Sequence, residues 1–548
     1  MEDQPVRKDE RRALGFWVAV ISVALAVRLA ALGAWPLGAT EATMATRAWQ
    51  AVLGQNPDPG PGGWLTPWLA GLFFLTGPQD FWARLGPALA GGLLPLTAWA
   101  WRDVWGSRRA RAVALLWALE PTLVAASRLA WGPTVAMLLL ALAAWAYRRG
   151  RHGVAGVLAL AALAAGPAAG WALLALLALL ALRPARAVAP EGRDRLWAGV
   201  LALGLLLVVT GGLGYPAGLG GWAGGLVHWL AGWRAVGPRV SVALGLMYAA
   251  PLLAWAGVGL LWQAKPWATR RVWLPWAFAL ALLGLWALYP ARQAANLAWL
   301  ALALAPWAVE PWLQVYGRWP GHWAEWAMAA GLLVFAALAG LTVAAPQAQL
   351  LLGPLRWGLA ALAVLAMVLL VLVARALFPG RSVPRQGGLL AALAFSLLIS
   401  GVNLRHAWYA PAAGHGWQRD PVAYDVRALE AGLTFWGNRL ARGAAQDLPG
   451  AVLADHPTVV WLGVSRFPRL QMRQALMPGE APLVVLTLAE GPQPDGAAYR
   501  GQKYRLTEVD TAPWLTTWFA GPVSRGAAYV VLWVRSDAFA GPVANPGP

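Results

Sequence analysis

Cysteine is absent from all 548 residues. Disulfides and thiolate metal sites are therefore excluded, and cysteine usage says nothing about the redox compartment. Acids are scarce as well: 24 Asp and Glu stand against 43 Lys and Arg, for a formal charge of +19. Charged residues of both signs reach only 12%, whereas a soluble domain carries about 25%. With 59% of residues hydrophobic, the composition reads as a polytopic membrane protein. The surplus positive charge does not read as a nucleic-acid surface. No stretch interleaves base-stacking aromatics with basic residues, so no nucleic-acid partner is expected.

What is present is a succession of apolar runs from Leu14 to about Val402, separated by short basic loops. The loops include "RKDERR", "WRDVWGSRRAR", "YRRGRHG", "RPARAVAPEGRDR", "QAKPWATRR" and "FPGRSVPR". Clusters of this kind mark cytoplasmic loops under the positive-inside rule. Threading the chain with its N-terminus inside gives spans near 14–34, 84–101, 112–127, 133–147, 154–166, 168–182, 196–214, 240–262, 272–289, 295–313, 323–345, 355–377 and 387–407. Several are short for a full crossing. The expected fold is an all-α polytopic membrane protein of about thirteen transmembrane helices with a small C-terminal extracytoplasmic α/β domain. Residues 1–13 form a cytoplasmic tail, 14–407 the transmembrane domain and 410–548 the outer domain. The first span lacks a small-residue cleavage site and reads as a retained anchor. Localisation is expected in the plasma or inner membrane. The 37 tryptophans suit the two interfaces.

Two outer segments exceed tight turns. Residues 35–83 hold an amphipathic stretch (41–53) and the loop "GQNPDPGPGG"; residues 215–239 are rich in Gly and Trp. In the C-terminal part, "WQRDPVAYDVRALEAGLTFWGNRLARGA" reads as an amphipathic helix. "GAVLADH", "APLVVLTLAE", "YRGQKYRLTEV" and "AAYVVLWVRSD" read as strands. Asp455 and His456 are adjacent acid and imidazole, a pair that needs further ligands to hold a metal.

The threading gathers the outer acids Glu41, Asp58, Asp80 and Glu120 between the first span and the third. A carboxylate in such a region serves as a general base or binds a metal. Arginines stand at the outer span ends: Arg28, Arg47, Arg84, Arg128, Arg234, Arg239 and Arg292. The planar guanidinium fork suits phosphate, although each such arginine also serves to snorkel or to pair with an acid. Glu41 follows Thr40, an N-cap residue type, so it is also placed to stabilise its own helix. Glu120 precedes Pro121 and is placed to cap the outer end of a span.

The order of three segments carries a resemblance: "PLGATEATMATRAWQAVLG", then "GPQDFWARLGPALAGGLLPL", then "LLWALEPTLVAASRLAWGP". It resembles GT-C membrane glycosyltransferases such as aminoarabinose transferases and protein O-mannosyltransferases. "YPAGLGGWAGGLVHWLAGW" and "QRDPVAYDVRALE" are similar to a branch associated with flippase activity and lipid-dependent protein glycosylation. In that class the first outer loop opens with Asp-Glu, which is Thr40-Glu41 here; Gly77, Phe81, Arg84 and Leu85 match a second motif, and Ser127-Arg128 a third.

The resemblance implies sugar transfer from a polyprenyl-phosphate donor to a glycan, lipid or protein acceptor at the outer face. Glu41 is the implied general base. Arg84, Arg128, Glu120, Arg234 and His228 are the candidates for holding lipid phosphate and sugar. Membrane lipids are the further expected partners. The class admits a divalent metal cofactor, yet the paired acids that would hold one are missing at Thr40 and around Gly132-Pro133. Two alternatives remain. One is a degenerate member that binds lipid-linked sugars or supports glycan assembly without chemistry; the other is a transporter or lipid flippase, which would call for ionisable groups at mid-membrane.

Overall fold

The computed structural model describes residues 4–55, 57, 60–131, 133–181, 192–210, 221, 223–235, 242–262, 270–317, 323–344, 353, 355–379, 383–409, 425–440, 444–494, 498–510 and 524–539. Of the expected outer residues, Asp58 and Arg239 lie outside them. The described chain is mostly helical, with a small sheet at its C-terminal end.

The N-terminal body begins with α1 (Gln4–Leu29), α2 (Ala39–Val52), α3 (Leu65–Thr76), α4 (Asp80–Ala100), α5 (Arg102–Trp105), α6 (Ser107–Leu119) and α7 (Pro121–Ser127). It continues with α8 (Thr134–Arg148), α9 (His152–Leu163), α10 (Ala169–Ala181), α11 (Gly192–Val209) and α12 (Gly224–Ala231). The long helices α13 (Val242–Trp262), α14 (Arg270–Leu288), α15 (Trp299–Gly317), α16 (Trp323–Ala344), α17 (Leu355–Leu377) and α18 (Val383–Tyr409) follow.

Among the described residues four helices are long and apolar enough to cross a bilayer: Val242–Leu260, Trp323–Gly340, Leu355–Leu377 and Gln386–Ala407. A fifth span arises if α6 and α7 count as one, bent by 55°. The segments counted as spans but short for a full crossing are short apolar helices, including Thr134–Arg148, His152–Leu163 and Ala169–Leu180. A crossing takes about 20 residues, and these fall short of it.

The bend between α6 and α7 has a local cause. Pro121 has no N–H to give to the carbonyl four residues back, and its ring disfavours helical backbone at Glu120. Glu120 accordingly sits at φ −63°, ψ 121°, and its side chain accepts a hydrogen bond from the Leu123 N–H at 2.7 Å. It therefore N-caps α7 within a bent span, rather than closing the outer end of a straight one.

The main core is built from alanine, leucine and tryptophan. Ala114, Trp117, Ala136, Leu140, Trp255, Trp299 and Leu300 belong to one continuous buried cluster. Small side chains let helix axes approach closely, and packing rather than water exclusion holds helices together in lipid.

The C-terminal part contains α19 (Asp425–Leu440), β1 (Gly450–Val452), α20 (Pro457–Arg466), β2 (Leu470–Met472), β3 (Val484–Leu488), β4 (Tyr499–Asp510) and β5 (Ser524–Arg535). The sheet order is β2-β1-β3-β5-β4. β1 pairs in parallel with β2 and β3, while β5 pairs antiparallel with β3 and β4. The parallel β1–β2 pair needs a crossover, and α20 supplies it. Asp455 and His456 directly precede that helix, with His456 at its N-cap.

α20 belongs to two cores at once. Val459 and Leu462 pack with the sheet and with Val426, Leu429 and Leu433 of α19. Trp461 packs instead with Ala45 of α2 and Leu69 and Phe73 of α3, stacked on the Phe73 ring at 5.6 Å. One short helix thus ties the sheet to α2 and α3.

Candidate functional site

The N-cap of α2 is Gly38, at φ −65°, ψ 164°, so Thr40 lies inside the first turn and Glu41 is the third helical residue. From there the Glu41 carboxylate reaches back to accept the Gly38 N–H at 3.0 Å. This is one half of a capping box, since glycine has no side chain to return the bond.

Three other segments meet the same carboxylate. Arg84, in the first turns of α4, gives Nε to Oε1 at 3.0 Å and Nη2 to Oε2 at 2.7 Å. The Ala130 N–H, in the turn after α7, gives a 2.7 Å bond to Oε1. The Glu41 side chain is 0% exposed and that of Arg84 2%. Burial pushes the Glu41 carboxyl up. The Arg84 charge, its hydrogen bonds and the Ala130 and Gly38 amides offset that and hold the group below the usual carboxylate range.

Arg84 has nothing left to offer. Its remaining donors go to the carbonyls of Leu32 (3.3 Å), Trp35 (2.8 Å) and Pro36 (3.1 Å). A guanidinium carries five N–H donors, and all five are spent on protein acceptors. The ion pair therefore pins the segment between α1 and α2 to the start of α4.

Arg128 and Arg28 serve helix ends. Arg128 follows the last residue of α7 and donates to the carbonyls of Val27, Arg28, Ala30 and Ala31 at 2.8–3.3 Å. These carbonyls lie in the last turn of α1 and just beyond its end, where backbone acceptors outnumber helical donors. Arg28 donates to Trp117 O at 2.9 Å and Ala118 O at 2.8 Å. The Trp117 carbonyl is the one that Pro121 cannot serve, so an α1 side chain replaces a missing backbone donor of the bent span.

Among the sequence-derived candidates, Glu41, Arg84, Arg128 and Glu120 are buried in this region. Glu120 accepts from Leu123 N and from the Thr122 hydroxyl. His228 on α12 and Arg234 just after it are exposed and do not join the buried group. Asp80 forms a second junction: it accepts from Trp461 Nε1 at 2.6 Å and pairs with Arg466 at 3.4 Å. A polar crevice of about 430 Å³ opens beside it, lined by Gln79, Asp80, Glu430, Thr434, Gln446 and Arg466.

Arg47 on α2 is placed differently from Arg84 and Arg128. Its guanidinium lies against Gly60, and Nη1 is buried with no hydrogen-bond partner among the described residues. Gly63, in the same loop, has φ +57° and lies so close to the Ala164 carbonyl that a Cβ would stand 2.0 Å from it. Only glycine fits there.

Among the described residues no three His, Asp or Glu side chains converge as a metal site would require. Chemically, the buried pair is an architectural clamp. A general base has to come within about 3.2 Å of the proton it removes. Glu41 does so only after releasing Arg84 or a backbone amide. The roles of Arg28 and Trp461 were not drawn from the sequence. Arg28 had a signal, a charge inside an apolar run followed later by a proline-broken span. Trp461 had none.

No family model matches the chain, and no curated protein matches it. Structural neighbours are found among solved structures. They include the crystal structure of ArnT from Cupriavidus metallidurans bound to undecaprenyl phosphate, at a TM-score of 0.48 and 17% identity, covering 96% of this chain and 99% of that one. The apo structure of the same protein aligns at a TM-score of 0.49 and 16% identity over the same shares.

Proposed function

We propose that the chain is a GT-C-type integral membrane glycosyltransferase, which moves a sugar from a polyprenyl phosphate to a glycan, lipid or protein acceptor at the outer face of the cell membrane. The observation that carries this reading is the Glu41–Arg84–Ala130 junction, because it brings together the three segments whose order resembles that class. The C-terminal sheet sits against the same end of the molecule through α20 and is read as extracytoplasmic, with the N-terminus cytoplasmic.

In this reading the buried pair is a positioning device for the first outer loop. It holds the Gly60–Gly63 loop and Arg47 where a lipid phosphate would approach, and Arg47 has a donor to offer it. The crevice beside Asp80 offers carboxylate, amide, hydroxyl and guanidinium groups, which suits a hydroxyl-rich acceptor. In the transfer itself an acceptor oxygen loses its proton to a carboxylate and bonds to the anomeric carbon. The bond from that carbon to the phosphate oxygen breaks, and the lipid phosphate leaves as an anion.

A second reading is favoured by one specific observation. Every donor of Arg84 and both oxygens of Glu41 are already engaged, as in a member that binds lipid-linked sugar without transferring it. The test uses the purified full-length protein with radiolabelled undecaprenyl-phosphate sugars and a panel of acceptors. Label transfer that Arg47→Ala weakens mainly through the donor KM supports the first reading. Donor binding without transfer to any acceptor replaces it with the second.

A further inference from the structure

We infer that the arginine-rich end of the bundle, opposite the outer domain, carries a binding site for an anionic lipid, with one hydrocarbon chain in a tryptophan-lined cavity and the phosphate at Arg109. α4 runs about 30 Å from Asp80, beside Trp461, to Ala100, so the start of α5 and α6 lies at the far end of the molecule. There a cavity of about 300 Å³ opens among α5, α6, α8, α10, α14 and α15. Trp101, Trp105, Trp117, Phe278 and Trp307 form much of its wall, and Arg109 is the charged residue that lines it.

Two features select the occupant. The wall is largely apolar, and such a surface gives water few hydrogen-bond partners. Left empty, it would forfeit packing contacts over its whole surface. A hydrocarbon chain from the surrounding lipid fits the available volume, which equals roughly ten water-sized volumes. The rim is strongly positive. Arg102 on α5, Arg108, Arg109 and Arg111 on α6, and Arg148 and Arg149 at the end of α8 bring positive charge to this end, against Asp103 and Glu310. Arg148 lies 4.9 Å over the ring of Trp101, which itself lines the cavity. Arg109 pairs with Glu310, and both are partly exposed, so a phosphate oxygen can join or replace the carboxylate at that guanidinium. An apolar body beneath a cationic rim is the complement of an amphiphile with an anionic head.

The site is independent of sugar transfer and of the junction at Glu41. The test uses the full-length protein in nanodiscs doped with diazirine-tailed lipids, followed by mapping of labelled peptides. Phosphatidylglycerol and undecaprenyl phosphate probes are expected to label the segments around Trp101–Trp117 and Ala303–Trp307. A phosphatidylcholine probe is expected to label them about tenfold less, the scale of one charged hydrogen bond. Ala303→Trp, which fills the cavity, and Arg109→Gln, which leaves it open, should each cut labelling by anionic probes to the phosphatidylcholine level. Equal labelling by all three probes, or undiminished labelling in Arg109→Gln, would overturn the inference, as would label confined to the lipid-facing helices α16 and α17. Arg109→Gln keeps the test intact if the tryptophan variant fails to fold. The two anionic probes, compared at equal dose, tell whether phospholipid or polyprenyl phosphate is the better occupant.

Discussion

Replacing Glu41 by glutamine removes one charge from a fully buried pair and keeps nearly the same shape. The amide oxygen can still accept from Gly38 or Ala130, but the amide nitrogen then faces an Arg84 donor. Arg84 is left as an unpaired buried cation, a change that costs about 3–5 kcal/mol when one partner of a buried pair is removed. Arg84→Met should cost more than Glu41→Gln. It strands the Glu41 charge and also strips donors from the carbonyls of Leu32, Trp35 and Pro36, each worth about 1–3 kcal/mol when left unsatisfied. The double variant Glu41→Gln/Arg84→Met removes both charges, so its loss should fall about 3–5 kcal/mol short of the sum of the singles. The assay is the apparent melting midpoint of the detergent-solubilised protein, with exchange of the Ala130 amide as the local readout. A Glu41→Gln protein as stable as wild type, with an unchanged Ala130 amide, would refute the clamp and return Glu41 to the role of a free base.

Three further outcomes are expected. Trp461→Phe keeps the stack on Phe73 but leaves Asp80 without its 2.6 Å donor; about 1–3 kcal/mol should be lost, read as faster amide exchange across α20. Gly63→Ala should lower the melting midpoint by far more than Gly54→Ala, since both have positive φ but only Gly63 faces a backbone carbonyl, at 2.0 Å; equal shifts would contradict the close approach. In the C-terminal domain, hydrogen bonds from Arg505 hold the Asp425 carboxyl below its usual range despite the opposing effect of burial. Its contribution is therefore present above the unfolded pKa of about 4 and disappears as pH falls through the lower folded value. The group is partly exposed, so the gap between wild type and Asp425→Asn should stay under about 1 kcal/mol at neutral pH and close in acid.

Much of the architecture was legible because periodicity and composition report burial. Long apolar runs such as 355–377 and 240–262 appear as the long helices α17 and α13. The strands read from "APLVVLTLAE", "YRGQKYRLTEV" and "AAYVVLWVRSD" appear as β3, β4 and β5. Length misled where hydropathy was continuous but the helix was not. Residues 112–127 read as one span, yet Pro121 breaks it at Glu120. α20 escaped notice because "TVVWLG" is rich in β-branched residues; the proline at its N1 position was the better guide. At the site, the sequence pointed to Glu41, Arg84 and Arg128 as a group. It could not say where the rest of their hydrogen bonds go, because beyond Glu41 the Arg84 acceptors, like those of Arg128, are main-chain carbonyls that carry no residue-type signal.

The proline break in the bent span has a consequence for biogenesis. A membrane interior provides no water to satisfy the Trp117 and Ala118 carbonyls, so the 107–127 segment reaches a stable state only beside a neighbour that donates to them. That neighbour is Arg28, carried on α1, which precedes this segment in the chain. Translation order thus places the donor in the bilayer before its acceptors emerge, and the later segment can insert directly against a helix already in position.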